Sequence, residues 1–160
     1  MANLRIGIGY DLHRTIVGRP LVLGNVVIPH DKGLDGHSDA DVVLHALIDA
    51  LTGAAGLPDV GQMFPNSDPR YKGINSGELL ASTMREFART GWRLVNADII
   101  VLAQRPKLSP HKAAMITRLA QLLNVREDQV NLKGKTGESV DAVGEERAIA
   151  CHCVVLLERD

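Results

Sequence analysis

The sequence predicts a single α+β domain: a mixed sheet of four to five strands, helices packed on one face, and a β-hairpin near the N-terminus. Three observations carry this prediction. Apolar residues recur with period two in some segments and near 3.6 in others. These segments follow one another as β-ββ-α-α-β-α-β-β. No repeat or linker interrupts the 160 residues, which is the size of one domain.

The elements follow in order. An alternating run over 5–10 (Arg5-Ile6-Gly7-Ile8-Gly9-Tyr10) reads as a strand that ends just before Asp11. Leu21-Val22-Leu23 and Val26-Val27-Ile28 flank Gly24-Asn25, a pair suited to a tight hairpin, and Pro29 ends the second strand. Ser38-Asp39-Ala40-Asp41 resembles a capping box with Asp in place of Glu. It predicts a helix running through Leu44, Leu47, Ile48 and Leu51 to Gly53 and Gly56. Residues 57–75, rich in Pro, Gly, Asn and Asp, show no sustained period and read as a long loop of the kind that is functional or mobile. Ser76 is expected to cap a helix to Thr90, closed by Gly91, before a strand over 92–103. Ser109-Pro110 opens a third helix ending near Asn124, with Pro in the first turn. Strands over 129–133 and 148–157 complete the chain, separated by the Gly-containing segment GKTGESVDAVGEER.

Composition narrows the function. With 45% hydrophobic and 23% charged residues, the chain lies near the globular average, away from disordered and membrane proteins, and no apolar run reaches membrane-spanning length. Met1-Ala2-Asn3 leads into the first strand pattern without a basic-then-apolar signal, so a cytoplasmic location is expected. The 18 basic residues nearly balance the 19 acidic ones, there is no basic stripe, and aromatics are few, which argues against nucleic-acid binding. Cys151 and Cys153 would share one strand face at a spacing poorly suited to pairing, so both read as reduced core residues.

Asp11 and His13 stand two positions apart, so in extended backbone they face the same side and can close on one atom. Alone, the pair reads first as a polar turn after a strand. His45 lies seven residues after Ser38, about two helical turns, and can point along the polar N-terminal face. Together Asp11, His13 and His45 would make an Asp-His-His metal set with a fourth position open, as in catalytic zinc sites. Asp49, four residues on, could orient the other ring nitrogen of His45. His37 and Ser38 sit at the expected helix start, where free N–H groups favour an anion; alternatively Ser38 only caps the helix. His111 reads as a local hydrogen-bonding residue, His152 as a surface or interface position, and His30 as part of a turn.

The stretches GYDLHR, GHSDADVVLHALIDALTGAAG, DVGQMFPNSDPRYKG, AQRPKLSPH and KTGE, in that order over nearly the whole chain, resemble the 2-C-methyl-D-erythritol 2,4-cyclodiphosphate synthase family of the non-mevalonate isoprenoid pathway. H-S-D-x-D-x-x-x-H with the upstream D-x-H is its specific signature. The resemblance implies a phosphorus–oxygen lyase. It would convert 4-diphosphocytidyl-2-C-methyl-D-erythritol 2-phosphate to the cyclic diphosphate and CMP by attack of the substrate's own 2-phosphate. It also implies a homotrimer with active sites between subunits.

By motif, Asp11, His13 and His45 would hold Zn2+, and the segment Asp11, Leu12 and His13 would lie against the substrate. His37 and Ser38 would bind the diphosphate end. Asp59, Val60 and Gly61, then Phe64, Pro65, Asn66, Ser67 and Asp68, would contact the erythritol part. Ala103, Gln104, Arg105, Pro106, Lys107, Leu108 and Ser109 would take the cytidine. Lys135, Thr136, Gly137 and Glu138 would meet the phosphates, with Glu138 on a second cation, Mg2+ or Mn2+. His37 and Thr136 are the catalytic candidates. The chain departs from the commonest family pattern at Lys135 and Gly137, where hydroxyl residues are frequent. It departs again at Ala142 with Glu145-Glu146-Arg147, where an aromatic followed by Arg-Gly-Glu is common. Two other functions use the same residues: a metal-dependent phosphodiesterase, which would activate water, and a trimeric small-molecule binding protein without turnover.

Overall fold

A computed structural model describes residues 3–159. The strands are β1 (Asn3–Val17), β2 (Leu21–Leu23), β3 (Val26–Ile28), β4 (Lys32–Leu34), β5 (Arg93–Leu102), β6 (Val130–Lys135) and β7 (Ala148–Arg159), and the helices are α1 (Val42–Ala55), α2 (Val60–Met63), α3 (Ser76–Arg89) and α4 (Lys112–Leu123). Five strands form one sheet in the order β4-β1-β7-β5-β6, while β2 and β3 pair separately as the expected hairpin. β5 and β6 run parallel across the α4 crossover and the other neighbours are antiparallel, so the sheet is mixed.

Two glycines set the distance between α1 and the sheet. A Cβ at Gly7 would lie 2.0 Å from the Ala50 carbonyl oxygen, and one at Gly9 would lie 1.8 Å from that of Ala46. The helix therefore rests on the bare backbone of β1. Leu44, Leu47, Ile48 and Leu51 fill the space between α1, β7 and the flanking helices, and Cys151 and Cys153 are free and buried among them. Burial pushes the Cys153 thiol up to about 12, which keeps it protonated and inert. The other face of the sheet is bare. Leu4, Ile6, Ile8, Tyr10, Leu12 and Val154 are exposed there, Ile6 by 77%, and Tyr10 stacks on His152 at 4.7 Å.

Several boundaries differ from the sequence reading. β1 continues to Val17, because its last residues find a partner in β4, a strand too short to show periodicity. Asp11 and His13 are thus mid-strand rather than at a strand's end. α1 is capped by Asp41, whose Oδ1 accepts from the N–H groups of Val43 (3.0 Å) and Leu44 (3.2 Å), and not by Ser38. Ala40 at φ 58° interrupts any helix begun at Ser38. α3 is capped by Asn75, which accepts from Gly77, so Ser76 is the first helical residue. α4 starts at Lys112, leaving Pro110 in the turn before it. The stretch 57–75 contains α2 and a 3₁₀ turn (Pro69–Tyr71), each capped by an aspartate, Asp59 and Asp68.

Candidate functional site

Asp11 and His13 project from β1 toward α1, which presents His45. Potential ligand atoms of the three residues all lie within 4.8 Å of one another. The Asp11 Oδ2 is 3.1 Å from His13 Nε2 and 2.9 Å from His45 Nδ1. Burial pushes the Asp11 carboxyl up, but hydrogen bonds and charge from both histidines outweigh it and hold that group well below the usual carboxylate range. Burial likewise opposes charge on His13, yet the Asp11 carboxylate and the Asp35 carbonyl raise its proton affinity above that of free imidazole.

Each imidazole has its outer nitrogen engaged. His13 Nδ1 is 2.7 Å from the Asp35 carbonyl oxygen, which can only accept. Gly36 lets this ring approach closely, since a Cβ there would sit 2.9 Å from His13 Cε1. His45 Nε2 is 3.0 Å from Ser76 Oγ and 3.2 Å from Ser38 Oγ. The inner nitrogens are left to converge on Asp11, an arrangement suited to a divalent cation.

These groups floor a cavity of about 230 Å³ that His37, Ser38, Val60, Gly61, Phe64 and Asn66 also line. Other expected residues stand away from it. Leu12 points to the opposite face of β1, so only its backbone is available to the site. Asp59 caps α2, and Asp68 pairs with Arg70 while its carbonyl lies 3.4 Å from His37 Nε2. Pro65 and Ser67 are exposed beside the cavity wall. His37 and Ser38 do not stand at a helix N-terminus, because Asp41 already occupies the α1 amides. Asp49 does not touch His45; its Oδ1 accepts from the N–H of Val60 at 2.8 Å and ties α2 to α1.

A second cavity of about 970 Å³ opens at the end of β5 and β6. All seven residues from Ala103 to Ser109 line it, with Lys135 and Thr136 across from them. Thr136 Oγ1 donates to Glu138 Oε1 at 2.6 Å on the exposed turn after β6, and Glu138 adopts φ 50° next to Gly137. The two cavities share no lining residue. Asp11, Cys151, Val101 and Gly134 form one register row, which puts Asp11 three strand spacings, roughly 14 Å, from Gly134.

Comparison with known proteins gives this geometry a family. The YgbB family matches residues 4–158. The chain belongs to the YgbB family. A curated relative from Dechloromonas aromatica, named 2-C-methyl-D-erythritol 2,4-cyclodiphosphate synthase, is 51% identical over 157 residues, 98% of either chain. A solved 2C-methyl-D-erythritol-2,4-cyclodiphosphate synthase in its CDP-bound form superposes with a TM-score of 0.88 at 40% identity, covering 96% of this chain and 99% of that one. The bifunctional IspDF of Campylobacter jejuni gives a TM-score of 0.96 at 38% identity over the whole of this chain but 43% of its own.

Within this YgbB-family site, the sequence reading missed residues that act through neighbours. Asp39 and Ser76 read as cap residues, yet Ser76 Oγ donates to Asp39 Oδ1 at 2.5 Å and both are packed behind His45. They lie 37 positions apart, so no spacing rule joins them. His30, Asp31, Lys112 and Glu146 line the larger cavity without any motif of their own.

Proposed function

We propose that this chain converts 4-diphosphocytidyl-2-C-methyl-D-erythritol 2-phosphate to 2-C-methyl-D-erythritol 2,4-cyclodiphosphate and CMP, as a phosphorus–oxygen lyase of the non-mevalonate isoprenoid pathway. An oxygen of the 2-phosphate forms a bond to the β-phosphorus. The bond from that phosphorus to the bridging oxygen breaks, and its electron pair leaves with CMP. The observation that carries this reading is the convergence of Asp11, His13 and His45 beside His37 and Ser38, in a chain whose relatives bear that enzyme's name.

The nucleophile is ionised near neutral pH, so the chain's task is alignment and charge neutralisation rather than general-base chemistry. Two imidazoles and one carboxylate suit Zn2+ and leave a fourth position for a phosphate oxygen. Zn2+ there, and Mg2+ or Mn2+ on Glu138, would neutralise the diphosphate. His37 and Ser38 hold the diphosphate end, and the wall formed by Val60, Gly61, Phe64 and Asn66 encloses the erythritol part, with Asp59, Pro65, Ser67 and the half-buried Asp68 just outside that wall. The 103–109 segment takes the cytidine; a relative solved in a CDP-bound form supports a cytidine nucleotide as the ligand. Thr136 donates to the phosphate during ring closure, flanked by Lys135 and Gly137.

The same proposal makes residues 1–160 one catalytic domain that acts as a homotrimer. The exposed apolar face of β1 and β7 supports this, since a patch led by Ile6 and Ile8, 77% and 70% exposed, needs a partner. A shared site would bring the small cavity of one subunit to the large cavity of its neighbour. A cytoplasmic location is part of this reading and is tested by cell fractionation; among the described residues no helix is long and apolar enough to cross a membrane. Incubation of purified protein with the diphosphocytidyl substrate and Mg2+, followed by phosphorus NMR, should give the cyclic diphosphate. An acyclic product from water attack would make the chain a phosphodiesterase instead.

A further inference from the structure

We infer that Ser76, held by Asp39, is a positioning residue that fixes the tautomer of His45 and aims its Nδ1 at the cation. The inference rests on the metal-site reading above and extends it to residues that no motif assigns. A carboxylate can only accept, so the 2.5 Å contact between Ser76 Oγ and Asp39 Oδ1 commits the hydroxyl proton to Asp39. The Ser76 oxygen then has only lone pairs to offer His45, and Nε2, 3.0 Å away, must be the donor. When a cation replaces the Nδ1 proton that otherwise bonds Asp11, the imidazole that donates from Nε2 turns its Nδ1 lone pair to that cation, beside Asp11 Oδ2 at 2.9 Å. A lone pair facing a carboxylate oxygen at that distance is stable when a cation lies between them.

The relay is anchored on both sides. Asp39 Oδ2 accepts from the Ser76 N–H at 3.0 Å, and Asp39 Oδ1 accepts from the Asp41 N–H at 3.2 Å, so the carboxylate is gripped by the first residue of α3 and the cap of α1. Ser76 is fully buried and Ser38 nearly so, which keeps water from replacing either hydroxyl. Ser38 Oγ, 3.2 Å from His45 Nε2 and 3.4 Å from Ser76 Oγ, is a second and weaker acceptor. Ser76 also directly follows the 57–75 stretch, so the chain that walls the cavity is tied to the ligand it covers.

The test measures Zn2+ affinity by competition with a chelator for wild type, Ser76→Ala and Ser76→Thr, with melting temperature and nitrogen-15 histidine spectra of the Zn2+-loaded proteins. Wild type should bind one Zn2+ per chain, with His45 ligating through Nδ1 and protonated at Nε2. Ser76→Ala should bind Zn2+ about 10- to 100-fold more weakly and lose the slowly exchanging Nε2 proton. Ser76→Thr, which restores the hydroxyl, should recover most of the affinity. Stoichiometric Zn2+ with unchanged affinity in Ser76→Ala would overturn the relay alone, as would equal losses in the Ala and Thr variants, which would show packing to be the cause. A wild-type chain that takes up no Zn2+ would overturn the metal site and the relay with it.

Discussion

Around Asp11 the side chains brace one another: His13 is fixed by the Asp35 carbonyl, His45 by Ser76 and Ser38, and α2 by Asp49. Around Thr136 the larger cavity is edged by exposed Lys107 and Lys135, and the span from the 103–109 segment to the loop before β7 is an exposed ion pair, Arg105 Nε to Glu146 Oε1 at 3.3 Å. The contrast follows from what each region must do. On the proposed function, three ligands would hold one cation at fixed distance, which requires buried, satisfied hydrogen bonds. A nucleotide that enters and leaves would need an open mouth with donors that move.

The contrast breaks most visibly if the cation end is dispensable. His45→Ala should abolish stoichiometric metal by elemental analysis and lower kcat/KM roughly a thousand-fold, for a loss of about 4 kcal/mol of charge stabilisation. Metal retained at one per chain would remove His45 from the site. At the other end, Thr136→Ala would, on the proposed role, remove one transition-state hydrogen bond and should lower kcat by roughly 10- to 1,000-fold with a modest change in KM. Glu138→Gln should raise the Mg2+ or Mn2+ concentration needed for half-maximal rate, since a neutral amide is a weaker ligand for a hard cation. Wild-type kinetics in both variants would leave the small cavity as the whole catalytic unit.

Mixing subunits sharpens the comparison, because it asks whether the two cavities meet across an interface. Random reassembly of His45→Ala with Thr136→Ala subunits should restore activity at about one quarter of sites, and light scattering should give a trimer mass. No recovery from an exchanged mixture would place both cavities' chemistry within one chain.

Stability should separate the regions as well. The buried Asp41 carboxylate accepts from Gly24, Asn25, Val43 and Leu44, stitching the β2–β3 turn to the N-terminus of α1. Its loss in Asp41→Ala leaves several buried donors unpaired and should cost about 3–5 kcal/mol in denaturant unfolding. Glu146→Gln, which breaks an exposed ion pair at the large cavity, should cost at most about 1 kcal/mol. Asp41 also gives a pH signature. Burial, opposed by the Asn25 and Gly24 amides and reinforced by the charge of Asp39, pushes its carboxyl up to about 6 from the ordinary 3.8. The folded chain therefore keeps a proton that the unfolded chain releases, and this contribution, complete below 3.8, is lost as pH rises through 6. The wild-type minus Asp41→Asn stability difference should fall across that window; a flat difference would show that Asp41 stays ionised throughout.

Much of this was legible beforehand. The hairpin at Gly24-Asn25, the α1 face of Leu44, Leu47, Ile48 and Leu51, and the pairing of Asp11 with His13 follow from side-chain periodicity, which local backbone geometry enforces. The motif blocks, carried by residue identity, were legible for the same chain. What tertiary structure alone decided are the contacts whose partners are distant in sequence. β4 exists because the end of β1 offers it an edge, and α1 starts at Val42 because Asp41 is held by the hairpin turn as well as by the helix. Asp49 turned to Val60, and Ser76 with Asp39 took the place behind His45, because a side chain's partner is set by which elements pack together. Sequence alone determined that a carboxylate and two histidines could meet. Only the packing of α1 onto the bare backbone at Gly7 and Gly9 decided that they do, since a hydrogen bond or ligand bond depends on distance in space and not on separation along the chain.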